Sequence, residues 1–184
     1  MERIISRAAQ YLANAINGTE EEYERINYML EAYFYNILKL VGLILIFLIT
    51  GYLTQGLVGI LIVLITKFYY GGYHEDTHLK CFIASLCVIG VAVYLGIFNR
   101  LGYTSLFAIN IISLYVIYQR VPVIDMDADI VPPAEVIRKY RKISLLITLL
   151  IMISFIIFYW CAFYINIGTW ALLLQALTLF VKRK

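Results

Sequence analysis

The chain has 184 residues, of which 62% are hydrophobic and 15% are charged, and its formal net charge is +3. A soluble domain is about 45–50% apolar, and no water-soluble fold of this size can bury so large an apolar fraction. The composition therefore excludes a soluble globular protein. It predicts an integral membrane protein that has the lipid bilayer as a partner.

The first 32 residues form an N-terminal arm that carries charge throughout. Thr19 and Glu22 have the spacing of a capping box, which predicts a helix that begins there and runs into the first membrane span. Before it, apolar residues recur at helical spacing, which is typical of an amphipathic helix lying in the membrane interface: Ile4, Ile5, Ala8, Tyr11, Leu12, Ala15 and Ile16. A membrane-surface anchor is the simpler interpretation of this arm, and a substrate-docking groove is the alternative.

Three long apolar blocks follow, at 33–73, 81–119 and 143–181. Each block is about 40 residues long, twice the ~20 residues that a helix needs to cross a bilayer. Gly and Asn, which mark turns, interrupt each block near its middle, at 51–56, 99–102 and 166–168. The sequence therefore predicts an all-α, polytopic membrane protein with six transmembrane helices in three hairpins. We assign 1–32 to amphipathic interfacial helices and 33–184 to one transmembrane domain.

The basic residues orient this six-helix arrangement. Of the 15 Lys and Arg residues, Arg100 alone falls on one side of the membrane. All the others fall in the N-terminal arm, the loops 67–80 and 120–142, the adjoining helix ends, or the C-terminal tail. The positive-inside rule then predicts a multi-pass protein of the plasma membrane with both termini in the cytoplasm.

The loop 67–80 and the start of the third span contain the most informative segment of the chain. Between the apolar blocks, two histidines, two carboxylates and one cysteine fall within eight residues: His74, Glu75, Asp76, His78 and Cys81. Titratable groups at a membrane are costly and usually functional. Two chemistries compete for them, a thiol nucleophile with a histidine base and a zinc site of the His-Glu-x-x-His type.

The zinc interpretation requires a third protein ligand. An intramembrane metalloprotease usually takes that ligand from another span, and no predicted span contains Asp or Glu. Gly71 and Gly72 also disfavour a stable helix through the motif. We therefore prefer the thiol interpretation and expect neither a metal nor a cofactor.

The thiol interpretation leaves the base open when only spacing is used. In a straight helix His74 would lie about 10 Å along the axis from Cys81, so the chain must fold back to bring the two together. The freedom of Gly71 and Gly72 permits such a fold. His78, one helical turn before Cys81, is an equally acceptable base on geometry.

The arrangement Lys67-x3-Gly71-Gly72-x-His74-x6-Cys81-x3-Ser85, between the second and third of six spans, resembles the accessory gene regulator protein B (AgrB) family. The resemblance covers nearly the whole chain in layout and extends to Pro122, to the Pro132–Pro133 pair and to the basic run that follows. Lys67 stands where Arg would also be expected, and a lysine cannot make the bidentate contacts that an arginine makes.

This resemblance implies a membrane cysteine endopeptidase that processes a quorum-sensing pro-peptide of the AgrD type. It implies Cys81 as the nucleophile, His74 as the base and Gly71, Gly72, Lys67 and Ser85 as supporting residues. It further implies a thioester on Cys81 that is resolved by closure of a thiolactone or lactone ring. A non-catalytic peptide exporter or scaffold is the alternative from a different class.

The partners expected from the sequence are the pro-peptide and the bilayer. A homodimer suits so small a membrane protein, and no nucleic-acid partner is expected. The second cytoplasmic loop ends in a basic cluster, Arg138, Lys139, Arg141 and Lys142. The simpler interpretation is that these residues bind anionic lipid headgroups. We expect them to bind the acidic tail of the pro-peptide.

Overall fold

The computed structural model describes residues 2–16, 18–70, 77–121, 133–158 and 161–180. Throughout these ranges the regular structure is helical, as predicted, and comprises seven helices: α1 (Glu2–Ala15), α2 (Glu20–Ile49), α3 (Leu53–Tyr70), α4 (His78–Phe98), α5 (Tyr103–Arg120), α6 (Ala134–Ile157) and α7 (Ala162–Thr178). The chain divides into two compact units, Met1–Ile46 and Phe47–Lys184.

The first unit contains the predicted capping box. The backbone N–H of Thr19 donates to the Glu22 carboxylate at 2.7 Å, and the N–H of Glu22 donates to the Thr19 hydroxyl at 3.4 Å. This reciprocal pair satisfies two N–H groups that a helix start leaves without partners. The helix that begins here is α2, and it continues without a break past residue 32. The division of the chain at 32/33 therefore stays a prediction.

Helix α1 in the first unit has one buried edge and one exposed apolar face. Ala9 and Ala13 are buried, and the Ser6 hydroxyl lies 3.0 Å from the Tyr23 hydroxyl of α2. The large apolar residues of the predicted face remain exposed: Ile4, Tyr11, Leu12 and Ile16. An exposed apolar face of this kind is what an interfacial helix presents to lipid.

Within the part of the chain that the structure describes, four helices are long and apolar enough to cross a membrane, namely α2, α3, α6 and the part of α4 from Leu79 to Phe98. Several apolar helices of this length indicate a membrane protein. Helix α5 has 18 residues but carries Asn110, Ser113, Gln119 and Arg120, and α7 has only 17 residues. The prediction of six spans in three hairpins is therefore not confirmed by helix length and hydropathy.

Two of the three predicted helix breaks are confirmed and the third is wrong. Helices α2 and α3 meet at Gly51, whose φ of +79° favours glycine, and α4 and α5 meet at 99–102. The break predicted at 166–168 lies inside α7. Asn166 there accepts a hydrogen bond from the N–H of Leu101 at 3.3 Å, and a Cβ on Gly168 would lie 2.6 Å from the nearest atom of the Phe155 ring. These two residues therefore mediate packing between segments instead of forming a turn.

Helix α7 is the central helix of the second unit and packs against α3, α4 and α5. Its contact with α4 is close because Gly96 has no side chain, and a Cβ at that position would lie 2.8 Å from the Ile167 Cα. Asn166, Thr169 and Gln175 of α7 are all buried. Protein surrounds these polar side chains, so α7 tolerates them inside an otherwise apolar unit.

The predicted loop 120–142 is shorter than expected, because α6 begins at Ala134. The sequence interpretation treated the charged residues up to 142 as loop since they are not apolar. Lys and Arg nevertheless have good helix propensity, and here they form the first turns of α6. The loop 67–80 is shortened in the same way, by the end of α3 at Tyr70 and the start of α4 at His78.

Candidate active site

The N-terminal turn of α4 holds the candidate nucleophile. Thr77 is the N-cap, with φ −126° and ψ 141°, and its hydroxyl accepts a hydrogen bond from the Lys80 N–H at 3.4 Å. The Cys81 N–H donates to the Thr77 carbonyl at 3.1 Å, which closes the first turn. Cys81 is half-buried. Cys81 therefore lies near the N-terminal end of α4, where the helix dipole favours negative charge.

Helix α3 brings a positive charge to this sulfur. The Lys67 Nζ lies 3.8 Å from the Cys81 Sγ, a contact that follows from the packing of α3 against α4. An ammonium group at this distance stabilises a thiolate electrostatically. The structure thus brings Cys81 together with one of the supporting residues of the predicted site.

Ser85, another predicted supporting residue, lies one turn after Cys81 and is buried. Its hydroxyl donates to the Cys81 carbonyl at 2.9 Å, so it bonds to the backbone of the nucleophile. Cys87 and Cys161 are both exposed. Cys87 lies within α4, whereas Cys161 is the N-cap of α7.

Several predicted site residues lie outside the described residues, namely Gly71, Gly72, His74, Glu75 and Asp76. His78 is the first residue of α4, and only its backbone is described. The choice of base between His74 and His78, and the alternative zinc site, therefore stay predictions.

The four basic residues predicted to bind a pro-peptide tail form a surface cluster on the first turns of α6. Arg138, Lys139, Arg141 and Lys142 are all exposed. The Arg141 Nε donates to the Val121 carbonyl just after the end of α5, at 2.9 Å. Four cations near the positive end of a helix make this surface favourable to anions.

A polar contact between α3 and α6, which the sequence interpretation did not identify, adjoins the candidate site. The Tyr70 hydroxyl lies 2.6 Å from the Thr148 Oγ1, and both residues are fully buried. The available signal was the pair Ser144 and Thr148, two hydroxyl residues one turn apart in an apolar helix, since polar side chains inside spans commonly bond other helices.

Comparison with known proteins adds an independent line of evidence. The family model described as Accessory gene regulator B matches residues 5–179. The chain belongs to the accessory gene regulator B family. It is similar to the Putative AgrB-like protein 1 of Clostridium perfringens (strain 13 / Type A), with 33% identity over 184 residues, which cover 100% of this chain and 98% of that relative. No solved structure matches the chain significantly.

Membership of the AgrB family confirms the resemblance seen in the sequence. The family implies processing of a quorum-sensing pro-peptide and an AgrD-like pro-peptide as the substrate. The match extends over almost the whole chain, from the N-terminal helix to the end of α7.

Proposed function

We propose that this protein is a membrane cysteine endopeptidase that removes the C-terminal tail of its pro-peptide and promotes ring closure of the remainder. The observation that carries this proposal is the contact between Lys67 Nζ and Cys81 Sγ at 3.8 Å, in the first turns of α4. A half-buried thiol beside an ammonium group and a positive helix end is in an environment typical of reactive cysteines. Family membership supports the choice of substrate.

In the proposed reaction, His74 takes the proton from the Cys81 thiol. The thiolate attacks the carbonyl carbon of the scissile peptide bond, and His74 returns the proton to the amine of the departing C-terminal tail. The remaining peptide stays on Cys81 as a thioester. A Cys or Ser side chain within that peptide then attacks the thioester, which releases Cys81 and closes a thiolactone or lactone.

The tetrahedral intermediate of this reaction needs hydrogen-bond donors for its oxyanion. The Cys81 N–H already donates to the Thr77 carbonyl, and the Lys80 N–H is directed to the Thr77 hydroxyl. The N–H groups of His78 and Leu79 belong to the first turn of α4 and have no intrahelical acceptor. We assign the oxyanion donors to this first turn.

We also propose that all six long helices from α2 to α7 cross the membrane, with both termini in the cytoplasm. An 18-residue helix such as α5 is about 27 Å long, close to the ~30 Å hydrocarbon core. Helix α7 packs against three other helices, so its polar residues need not face lipid. This topology puts Cys81 and the basic cluster on the same membrane face. Assembly into a homodimer stays a prediction.

Co-expression with a tagged pro-peptide of the AgrD type tests the proposed chemistry through the mass of the peptide products. We expect Cys81→Ala and His74→Ala to abolish cleavage, and Glu75→Ala and His78→Ala to leave it intact. Cys87→Ala serves as a matched control, since that thiol is exposed on the same helix. Cleavage that needs Glu75 and His78 but not Cys81 would identify a metalloprotease, and unchanged peptide length with the wild type would favour an exporter or scaffold.

A further inference from the structure

The C-terminal end of α3 is attached to α6 by two neighbouring polar contacts. The Thr148 hydroxyl donates to the Ser144 carbonyl of its own helix at 2.7 Å. Its single proton is thereby used, so the Tyr70 hydroxyl, 2.6 Å away, is the donor in the Tyr70–Thr148 bond. This bond joins the last residue of α3 to the middle of α6.

The second contact lies one helical turn earlier on α6. The Ser144 hydroxyl is 2.9 Å from the Tyr69 carbonyl of α3 and 2.8 Å from the Tyr140 carbonyl of its own helix. Tyr69 is one of the last residues of α3, whose carbonyls lack intrahelical donors. The single Ser144 hydroxyl proton is shared between these two carbonyls, so Ser144 makes a bifurcated hydrogen bond that reaches the end of α3. Tyr70, Ser144 and Thr148 all have zero exposure, and we call these three residues the α3–α6 clamp.

The clamp lies between two parts of the proposed machinery. On α3, Lys67 precedes Tyr70 by three residues, about 4.5 Å along the axis, and contacts the Cys81 sulfur. On α6, the basic cluster ends at Lys142, two residues or about 3 Å of rise before Ser144. Each side of the clamp is a continuous helix, so the two contacts fix the basic cluster relative to the thiol.

We infer that Tyr70, Ser144 and Thr148 are positioning residues that hold the tail-binding surface of α6 in register with Cys81. This inference rests on the proposed function and deepens it. A pro-peptide whose tail is bound on α6 presents one particular peptide bond to the thiolate only if the separation between α6 and α3 is constant. A misplacement of about 1 Å in a reacting group can cost roughly 100-fold in rate, so loss of the clamp should act mainly on kcat.

A double-mutant cycle with Tyr70→Phe and Thr148→Val tests this inference. Each substitution removes one end of the same hydrogen bond and nearly preserves side-chain shape. Cleavage of a synthetic AgrD-type pro-peptide is measured on the full-length protein in liposomes. We expect each single variant to lose roughly 10- to 100-fold in kcat with KM within about twofold, and the double variant to be no slower than the slower single variant, because both remove one interaction. Thr148→Ser, which keeps the hydroxyl, should keep the wild-type kcat.

Thr169→Val is the matched control. Thr169 is also a fully buried threonine and makes an interhelical bond, since it accepts from the Asn110 side chain at 3.2 Å. That bond joins α5 to α7 and includes no residue of α3 or α6, so its loss should leave kcat unchanged.

The inference is overturned if the clamp variants keep wild-type kcat, if their losses multiply in the double variant, or if Thr169→Val is impaired to the same degree. Should Tyr70→Phe fail to accumulate in the membrane, Ser144→Ala and Thr148→Ser provide the same comparison of kcat with KM. A parallel measurement on Cys81→Ala separates the two proposals. If Cys81→Ala still cleaves, the proposed function fails; if it is inactive while the clamp variants keep wild-type kcat, this inference alone fails.

Discussion

Replacing Lys67 by Met should slow the reaction of Cys81 with a thiol-alkylating reagent. Methionine keeps an unbranched side chain of similar length but removes the ammonium group 3.8 Å from the sulfur. Two unit charges at that distance interact by about 1 kcal/mol in water and by about 4 kcal/mol at an effective dielectric constant of about 20. Both residues are half-buried, so we expect Lys67→Met to raise the barrier to alkylation by about 1–2 kcal/mol, which is a roughly 5- to 30-fold fall in rate.

The assay is the rate of modification by N-ethylmaleimide at fixed pH, followed by intact mass. A Cys87→Ala/Cys161→Ala background leaves Cys81 as the single thiol. Lys67→Arg should retain most of the wild-type rate because it keeps the charge. Arg100→Met is the control for a change of net charge alone, because α4 rises about 26 Å between Cys81 and Phe98, more than twice the screening length at physiological salt. Equal rates for Lys67→Met and the wild type would refute the electrostatic role of Lys67.

Three further predictions concern packing, capping and charge. Gly96→Ala should lower the melting temperature in a detergent thermal-shift assay, because its Cβ would meet the Ile167 backbone. Gly90→Ala on the same helix is the control, because its Cβ would meet nothing within 4 Å. Equal melting temperatures for the two variants would contradict the described packing. Thr19→Ala should lower the stability of the first turn of α2 by about 1 kcal/mol, because the N-cap is lost. The loss is measured as faster amide hydrogen exchange at the start of α2, and unchanged exchange would argue against the capping box. Charge reversal in the basic cluster should weaken pro-peptide processing at unchanged expression, and the first variants to test are Arg138→Glu, Lys139→Glu and Lys142→Glu. Normal processing by these variants would contradict the proposal that the cluster binds the tail.

The helices could be predicted from the sequence more reliably than their ends. Gly51 and the segment 99–102 end helices as their composition predicted. Asn166 and Gly168 have the same residue types but serve tertiary contacts, with the Leu101 N–H and with the Phe155 ring. Such contacts depend on which helix lies opposite, and local sequence does not contain that information. The N-terminal part of α6 was missed because hydropathy separates membrane from water, and a helix can continue beyond the membrane.

The candidate site shows the same division between local and tertiary information. Cys81 could be recognised from its neighbours in sequence, because the polar segment stands out between two apolar blocks. Its contact with Lys67 joins residues 14 positions apart and depends on the packing of α3 against α4. The clamp joins Tyr70 to Thr148, 78 positions apart, and follows from the packing of α3 against α6. No periodicity within one segment indicates either pair.

The central claim is that the reaction passes through a thioester on Cys81. The most direct test uses a pro-peptide in which Ala replaces the internal Cys or Ser that would close the ring. With this substrate the account predicts release of the C-terminal tail, together with an adduct on Cys81 whose mass equals the remaining acyl group and which hydroxylamine removes. The account would be contradicted if the wild-type protein released the tail at its normal rate without forming an adduct on Cys81. It would also be contradicted if the Cys81→Ala variant released the tail as fast as the wild type.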